Sequence, residues 1–145
     1  MDFRVTVESA PTDELRTAIL KRLGRFNAES GYPADPQTVA VVARGEDGSL
    51  VGGLWGKTVY DWLFVEYLFV DQELRGRNLG ASLLSVAEQV AIDRGCVGAW
   101  LTTFPFQARQ FYEKHGYRVF AELESSPREN VRIFMRKTLA SSASA

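Results

Sequence analysis

The spacing of hydrophobic and polar positions changes along the chain, and the changes mark out the elements. Phe3, Val5 and Val7 alternate with Arg4, Thr6 and Glu8, the period of a half-buried strand. Leu15, Ile19, Leu23 and Phe26 then recur at helical spacing, predicting a helix from Thr12 to about Glu29. Thr12 suits its N-cap, and Asp13 and Glu14 suit a first turn that favours negative charge. Gly31, Pro33 and Pro36 break regular structure over 30–37, the one irregular stretch long enough for a lid. Strand patterns return in Thr38–Arg44 and Leu50–Val59, joined by a Glu46-Asp47-Gly48-Ser49 hairpin turn, and in Trp62–Val70 after Tyr60-Asp61. Gly52, Gly53 and Gly56 predict a bulge or a close backbone approach in the second of these strands.

Leu79, Leu83, Ala87, Val90 and Ala91 form the apolar stripe of a second helix, ended by Arg94-Gly95. Cys96–Thr103 is a nearly unbroken apolar run, as in a strand covered on both faces. A short helix is predicted from about Phe106 to His115, closed by Gly116. Tyr117–Leu123 and Val131–Thr138 read as final strands around a Ser125-Ser126-Pro127 loop. The predicted order is β-α-β-β-β-α-β-α-β-β, a single α/β domain over residues 1–139 with a mixed sheet of about six to seven strands flanked by helices. The small, polar residues 140–145 are expected to form a disordered tail.

Composition narrows the function. A chain of 145 residues with net charge −1 is an ordinary globular domain and a poor match to nucleic acid or to an acidic membrane surface. One cysteine, Cys96, allows no internal disulfide, and no apolar run approaches a membrane span or follows Met1 as a signal peptide would. These features predict a cytoplasmic protein. With one histidine and no Cys/His cluster, no metal site is expected. Cys96 reads as a small core residue and His115 as a helix C-terminal one.

The chemistry concentrates in Val65–Leu84, where an aromatic strand meets a basic, glycine-containing loop at the start of a helix. A helix start carries unpartnered N–H groups and partial positive charge. Gly76 and Gly80 let an anion approach the backbone, and Arg75 and Arg77 add charge, which is the chemistry of a pyrophosphate cradle. A nucleotide-binding reading is disfavoured: there is no Gly-x-x-x-x-Gly-Lys-Ser/Thr, and three antiparallel strands before the loop do not suit a dinucleotide-binding start.

Arg75-Gly76-Arg77-Asn78-Leu79-Gly80-Ala81 resembles the coenzyme A pyrophosphate loop of the GNAT family of N-acetyltransferases, Gln/Arg-x-x-Gly-x-Gly/Ala. Ala108 and Phe111-Tyr112-Glu113-Lys114-His115-Gly116-Tyr117 are similar to that family's second motif, one helix and one strand downstream. Phe104–Leu123 is similar to a bacterial subgroup of unassigned substrate. Asn78 stands where the family usually has Gly, and Pro105 where it often has the Asn that helps hold the pantetheine arm, a contact Gln107 could replace.

The resemblance implies splayed central parallel strands and acetyl transfer from acetyl-CoA to a primary amine, with no metal. It places the thioester against backbone N–H groups near Leu68, Phe69 and Val70, and the pyrophosphate on Arg75, Gly76, Arg77, Asn78, Leu79, Gly80 and Ala81. Tyr112 takes the position of the general acid for the leaving thiolate. Glu66 is the best-placed base, since positions 64, 66, 68 and 70 share one face of a regular strand; a water chain is the alternative. Tyr67 would point to the other face. Asn27, Tyr32 and Trp62 are candidates for the acceptor pocket, with Thr102 and Thr103 as further polar groups. The expected acceptor is a small-molecule amine. A protein N-terminus or lysine, and a non-catalytic acyl-CoA sensor, are the competing readings. The resemblance leaves a homodimer open.

Overall fold

The computed structural model describes residues 1–139. They divide into two compact units, Met1–Asp35 and the chain from Pro36 onward. The expected tail over 140–145 lies outside the described residues.

In the first unit, helix α1 (Asp13–Glu29) begins as the sequence predicts: the Thr12 side chain accepts the Leu15 N–H at 3.1 Å. Its last turn is closed by Ser30, whose hydroxyl donates to the Phe26 carbonyl at 3.0 Å. The strand expected at Phe3–Val7 does not form. Alternation is only permissive for a strand, which also needs a neighbour to complete its hydrogen bonds, and this segment enters no ladder.

The second unit is a six-stranded mixed sheet. Its strands are β1 (Gln37–Arg44), β2 (Leu50–Val59), β3 (Trp62–Val70), β4 (Gly98–Thr103), β5 (Arg118–Glu124) and β6 (Val131–Thr138), in spatial order β1-β2-β3-β4-β6-β5. Helices α2 (Leu79–Asp93) and α3 (Arg109–Lys114) complete it, after a short 3-10 turn at Gln72–Leu74. Only β3 and β4 run parallel, joined by the α2 crossover. β4 starts later than its apolar run predicts, because Cys96 and Val97 turn the chain into the sheet; the Val97 N–H donates to the Asp61 carbonyl at 2.8 Å.

Register assigns the two faces of the sheet. Gly52, Leu54, Gly56 and Thr58 of β2 share a face with Val70, Leu68, Val65 and Leu63 of β3. Helix α2 covers this face: a methyl group at Gly52 would stand 3.3 Å from Leu79 and 3.4 Å from Leu83. The core here is Leu63, Val65, Leu83, Leu84, Ala87, Leu101, Ile133 and Met135, all buried. The opposite face carries Trp62, Phe64, Tyr67, Phe69 and Trp100, with Phe64 stacked on Trp100 at 4.1 Å between centroids.

The bulge expected in β2 is present against β1, where Val51 is the extra residue between the pairs Arg44↔Leu50 and Ala43↔Gly52, and a second bulge falls on β3. Gly56 pairs with Val65 and Trp55 with Tyr67, leaving Glu66 as the extra residue. A bulge reverses the alternation beyond it. Leu68 and Val70 therefore lie on the α2 face and Phe64 on the other, so residues 64, 66, 68 and 70 do not share a face as expected. Arg94, at the C-terminal end of α2, fastens that helix to the hairpin below it. Its guanidinium donates to the Gln37 and Thr38 carbonyls and to the Thr58 hydroxyl at 3.1–3.3 Å.

The β3 bulge also explains why residue 56 is glycine. A methyl group there would collide with the Phe64 backbone carbonyl, and backbone cannot move aside as a side chain can. Gly56→Ala is expected to destabilise the protein by about 1–3 kcal/mol in urea unfolding. Gly24→Ala, inside α1 with open space around it, should stabilise it by about 0.5–1 kcal/mol.

Candidate active site

Ladder pairing between β3 and β4 runs from Trp62↔Gly98 to Val65↔Leu101 and then stops. β3 continues to Val70 and β4 to Thr103, so the two strands part into a wedge at the carboxyl end of the sheet, where open α/β sheets bind ligands. The wedge opens into a cleft of about 920 Å³ lined from β3, the loop into α2, the end of β4, and α3. That volume lies within the range of small-molecule sites.

On the β3 side the backbone orientation follows from one bond. The Asp71 N–H donates to the Val51 carbonyl at 2.9 Å, so Asp71 faces β2. Alternation then directs the Phe69 N–H toward β2 and those of Leu68 and Val70 into the wedge. Of the three positions expected to hold a thioester, two present donors and Phe69 does not. Glu66, Leu68, Phe69 and Val70 all line the cleft. The bulge seats Glu66 at the point where the wedge begins, and its carboxylate has no hydrogen-bond or ion-pair partner among the described residues.

The loop into α2 forms the second wall. Gly76 and Asn78 both have positive φ, 81° and 64°. Asn78 is the N-cap of α2, so the left-handed conformation that suits Gly is adopted here by the non-Gly residue that tolerates it best. Arg75 donates through Nε to the Val70 carbonyl at 3.4 Å, tying the loop to the end of β3. Arg75, Gly76, Asn78, Leu79, Gly80 and Ala81 line the cleft, whereas Arg77 does not. A methyl group at Gly80 would stand 3.3 Å from the Phe111 ring, so this glycine also seats α3 against α2.

The third wall is the end of β4 and α3. The Thr103 hydroxyl is buried, accepts the Ala108 N–H at 3.4 Å and donates to Gln107 Oε1 at 3.3 Å. With its oxygen engaged, Gln107 has its amide N–H groups left for the cleft. Pro105, two residues before it, has no N–H to donate. Thr102 accepts from Arg132 Nε at 3.0 Å, and that guanidinium sits over the Phe104 ring.

Tyr112 is 7% exposed, and its hydroxyl makes no hydrogen bond to any described residue. Since no buried side-chain oxygen in the described residues lacks a partner, this hydroxyl is the part of the ring that reaches the cleft. Burial pushes its pKa up to about 12, keeping the phenol protonated and able to donate. The ring itself is packed, edge-on to Phe111 at 5.2 Å and to Tyr117 at 5.7 Å.

Among the acceptor-pocket candidates, Trp62 is at the start of β3, the opposite end from the wedge, with its ring against Gly98. It does not line the cleft. Asn27 and Tyr32 belong to the Met1–Asp35 unit, where the Tyr32 N–H donates to the Asn27 carbonyl at 2.9 Å. The cleft brings in residues that sequence reasoning left out: Phe106, Lys114 and His115, the last with its ring 4.7 Å from that of Phe111. Helical spacing from Phe111 places His115 on the same face, a signal the C-terminal reading of His115 passed over. Cys96 is buried in the core away from the cleft, and burial raises its thiol pKa. No group of acidic, His or Cys side chains among the described residues is arranged to hold a metal ion.

A model of the Acetyltransferase (GNAT) family matches residues 8–117. Blasticidin-S acetyltransferase of Streptomyces morookaense is 38% identical over 113 residues, covering 77% of this chain and 82% of that protein. Acetyltransferase Atu2258 of Agrobacterium fabrum is 34% identical over 110 residues, 76% of this chain and 80% of that protein. Among solved structures, an acetyltransferase from Bacillus cereus superposes with a TM-score of 0.78 at 28% identity, covering 92% of this chain and 98% of its own.

The two buried phenols give a test of the site's packing. Tyr112 and Tyr117 both have pKa values raised above the ordinary value near 10, by burial first and, for Tyr117, by the Glu88 carboxylate as well. Folding therefore favours the protonated phenols, and their stability contribution is complete below about pH 10 and is lost as pH rises through the folded-state values. Urea unfolding should show a fall in stability between about pH 10 and pH 11 that Tyr112→Phe makes shallower.

Proposed function

The chain belongs to the GNAT acetyltransferase family and is an acetyl-CoA-dependent acetyltransferase, and on that premise we propose that it moves the acetyl group directly onto the primary amine of a small molecule. One observation carries this reading: the untethered Tyr112 hydroxyl opens onto the same cleft as the α2 helix start and the unpaired half of β3. A proton donor, an anion cradle and a row of backbone donors are the three things that transfer from a thioester requires.

The residues present fit coenzyme A. The positive end of α2, the positive-φ backbone at Gly76 and Asn78, and Arg75 would receive the pyrophosphate. The Gln107 amide would hold the pantetheine arm. The Leu68 and Val70 N–H groups are fixed before reaction and aimed into the wedge, where they would stabilise negative charge developing on the thioester oxygen. Tyr112 then gives its proton to the departing sulfur. An alkyl amine arrives protonated near neutral pH, and Glu66, unpartnered where the wedge begins, would bind it and take its proton. Attack on the thioester is direct, so no nucleophilic side chain is needed. A relative named for the small molecule blasticidin-S supports an acceptor of that kind.

Acetyl-CoA at saturation should raise the melting temperature, and an unchanged value would overturn the reading outright. Gly80→Glu, which puts bulk and negative charge into the cradle, should abolish that shift. Thiol release measured across polyamines, amino acids, aminoglycosides and peptides then identifies the acceptor. Acceleration by peptides alone would replace the small-molecule reading with a protein acceptor, and background release with every amine would leave a sensor of acyl-CoA. Tyr112→Phe should lower single-turnover release by about 100-fold or more while acetyl-CoA affinity stays within about twofold.

A further inference from the structure

Tyr112 would donate its proton from a hydroxyl that nothing holds. Its position is set by its ring contacts alone, and one of the rings that sets it is held with unusual care. Tyr117 is 3% exposed, and its hydroxyl donates to Glu88 Oε2 at 2.8 Å. The other oxygen of Glu88 accepts from Lys137 Nζ at 2.9 Å, and the same ammonium sits 5.7 Å over the Tyr117 ring. The backbone adds a further tie, from the Tyr117 N–H to the Tyr112 carbonyl at 3.0 Å. Glu88 comes from α2, Lys137 from β6, and Tyr117 from the turn that closes α3.

We propose that Tyr117, locked by Glu88 and Lys137, is a positioning residue that aims the Tyr112 hydroxyl at the departing sulfur. The inference rests on the proton-donor reading of Tyr112 and extends it to residues that do not line the cleft. Glu88 and Lys137 have side chains only 12% and 27% exposed. Withdrawing a carboxylate and an ammonium from water costs several kcal/mol, and apolar side chains of similar volume often fill such a place with no loss of stability. A bare packing role therefore needs no ion pair here. What the pair supplies is direction: bonds fixed in length and angle hold the Tyr117 ring in one orientation, edge-on to Tyr112 at 5.7 Å. The anchor also spans three elements, so it fixes α3 against the helix whose other end forms the cradle.

A double-mutant cycle separates aiming from packing. The readout is single-turnover thiol release from acetyl-CoA with hydroxylamine as probe acceptor, a nucleophile that needs no pocket of its own. Tyr117→Phe keeps the ring and removes the tether. It is expected to slow release by about tenfold in the wild-type background, and by less than about twofold in Tyr112→Phe, with the affinity for acetyl-CoA unchanged in both. Glu88→Gln, measured in the same cycle, should repeat the pattern, and it decides alone if Tyr117→Phe does not fold. Equal losses in the two backgrounds, or no loss in the single variant, would overturn the proposal while leaving Tyr112 as the acid. If Tyr112→Phe by itself leaves release unchanged, the acid reading fails and the aiming role fails with it.

Discussion

The geometry of the cleft depends on where the β3–β4 ladder ends. Parallel strands bond edge to edge until something makes it costly to continue. Here pairing persists through Val65↔Leu101 and is lost one residue later, at the point where Glu66 is squeezed out of the β2–β3 register. The bulge keeps β3 paired to β2 on both sides of Glu66 while β3 parts from β4. Backbone N–H groups that would otherwise be consumed by the sheet are thereby left pointing into the wedge. Leaving such groups unpaired in a protein interior is expensive, and it is sustained here because they face a cleft where solvent or a ligand can meet them. Gly56 is the other half of the device, since only a residue without Cβ fits against the Phe64 carbonyl.

The flanking elements are organised around that opening. α2 starts beside the end of β3, where Arg75 ties the loop to the Val70 carbonyl, and its far end is clasped to the hairpin by Arg94. α3 is too short to be stable on its own and takes its position from packing, through Phe111 over Gly80 and Tyr112 into the core. Its orientation is thus inherited from α2 and from Tyr117, while the Tyr112 hydroxyl is left for the cleft.

Most of the element order was legible because apolar periodicity and turn residues agree over Thr38–Thr138. The loop that forms one wall of the cleft was legible because Arg75–Ala81 is contiguous, and a contiguous motif survives without knowledge of the fold. What escaped depends on residues distant in sequence. Three glycines in β2 announced a bulge, found at Val51, but only the pairing shows a second one, with Glu66 as the extra residue on the neighbouring strand. That single residue reverses the faces of Leu68 and Val70. Glu88, Tyr117 and Lys137 are separated by long stretches of chain, and each alone reads as an ordinary surface or core position. Phe3–Val7 has the alternation of a strand without entering a ladder, and Trp62 has the chemistry of a pocket residue at the wrong end of its strand.

Gly80 lines the cleft at the start of α2 and receives the Phe111 ring where a side chain would otherwise stand. On the proposed reading, anchorage of acetyl-CoA and alignment of α3 are therefore written into one position. Substitutions that alter the first must disturb the second, so this half of the molecule has little room to drift. On the same reading, divergence toward new acceptors would fall to the wedge's other borders, lined by Glu66, Thr102 and Phe106.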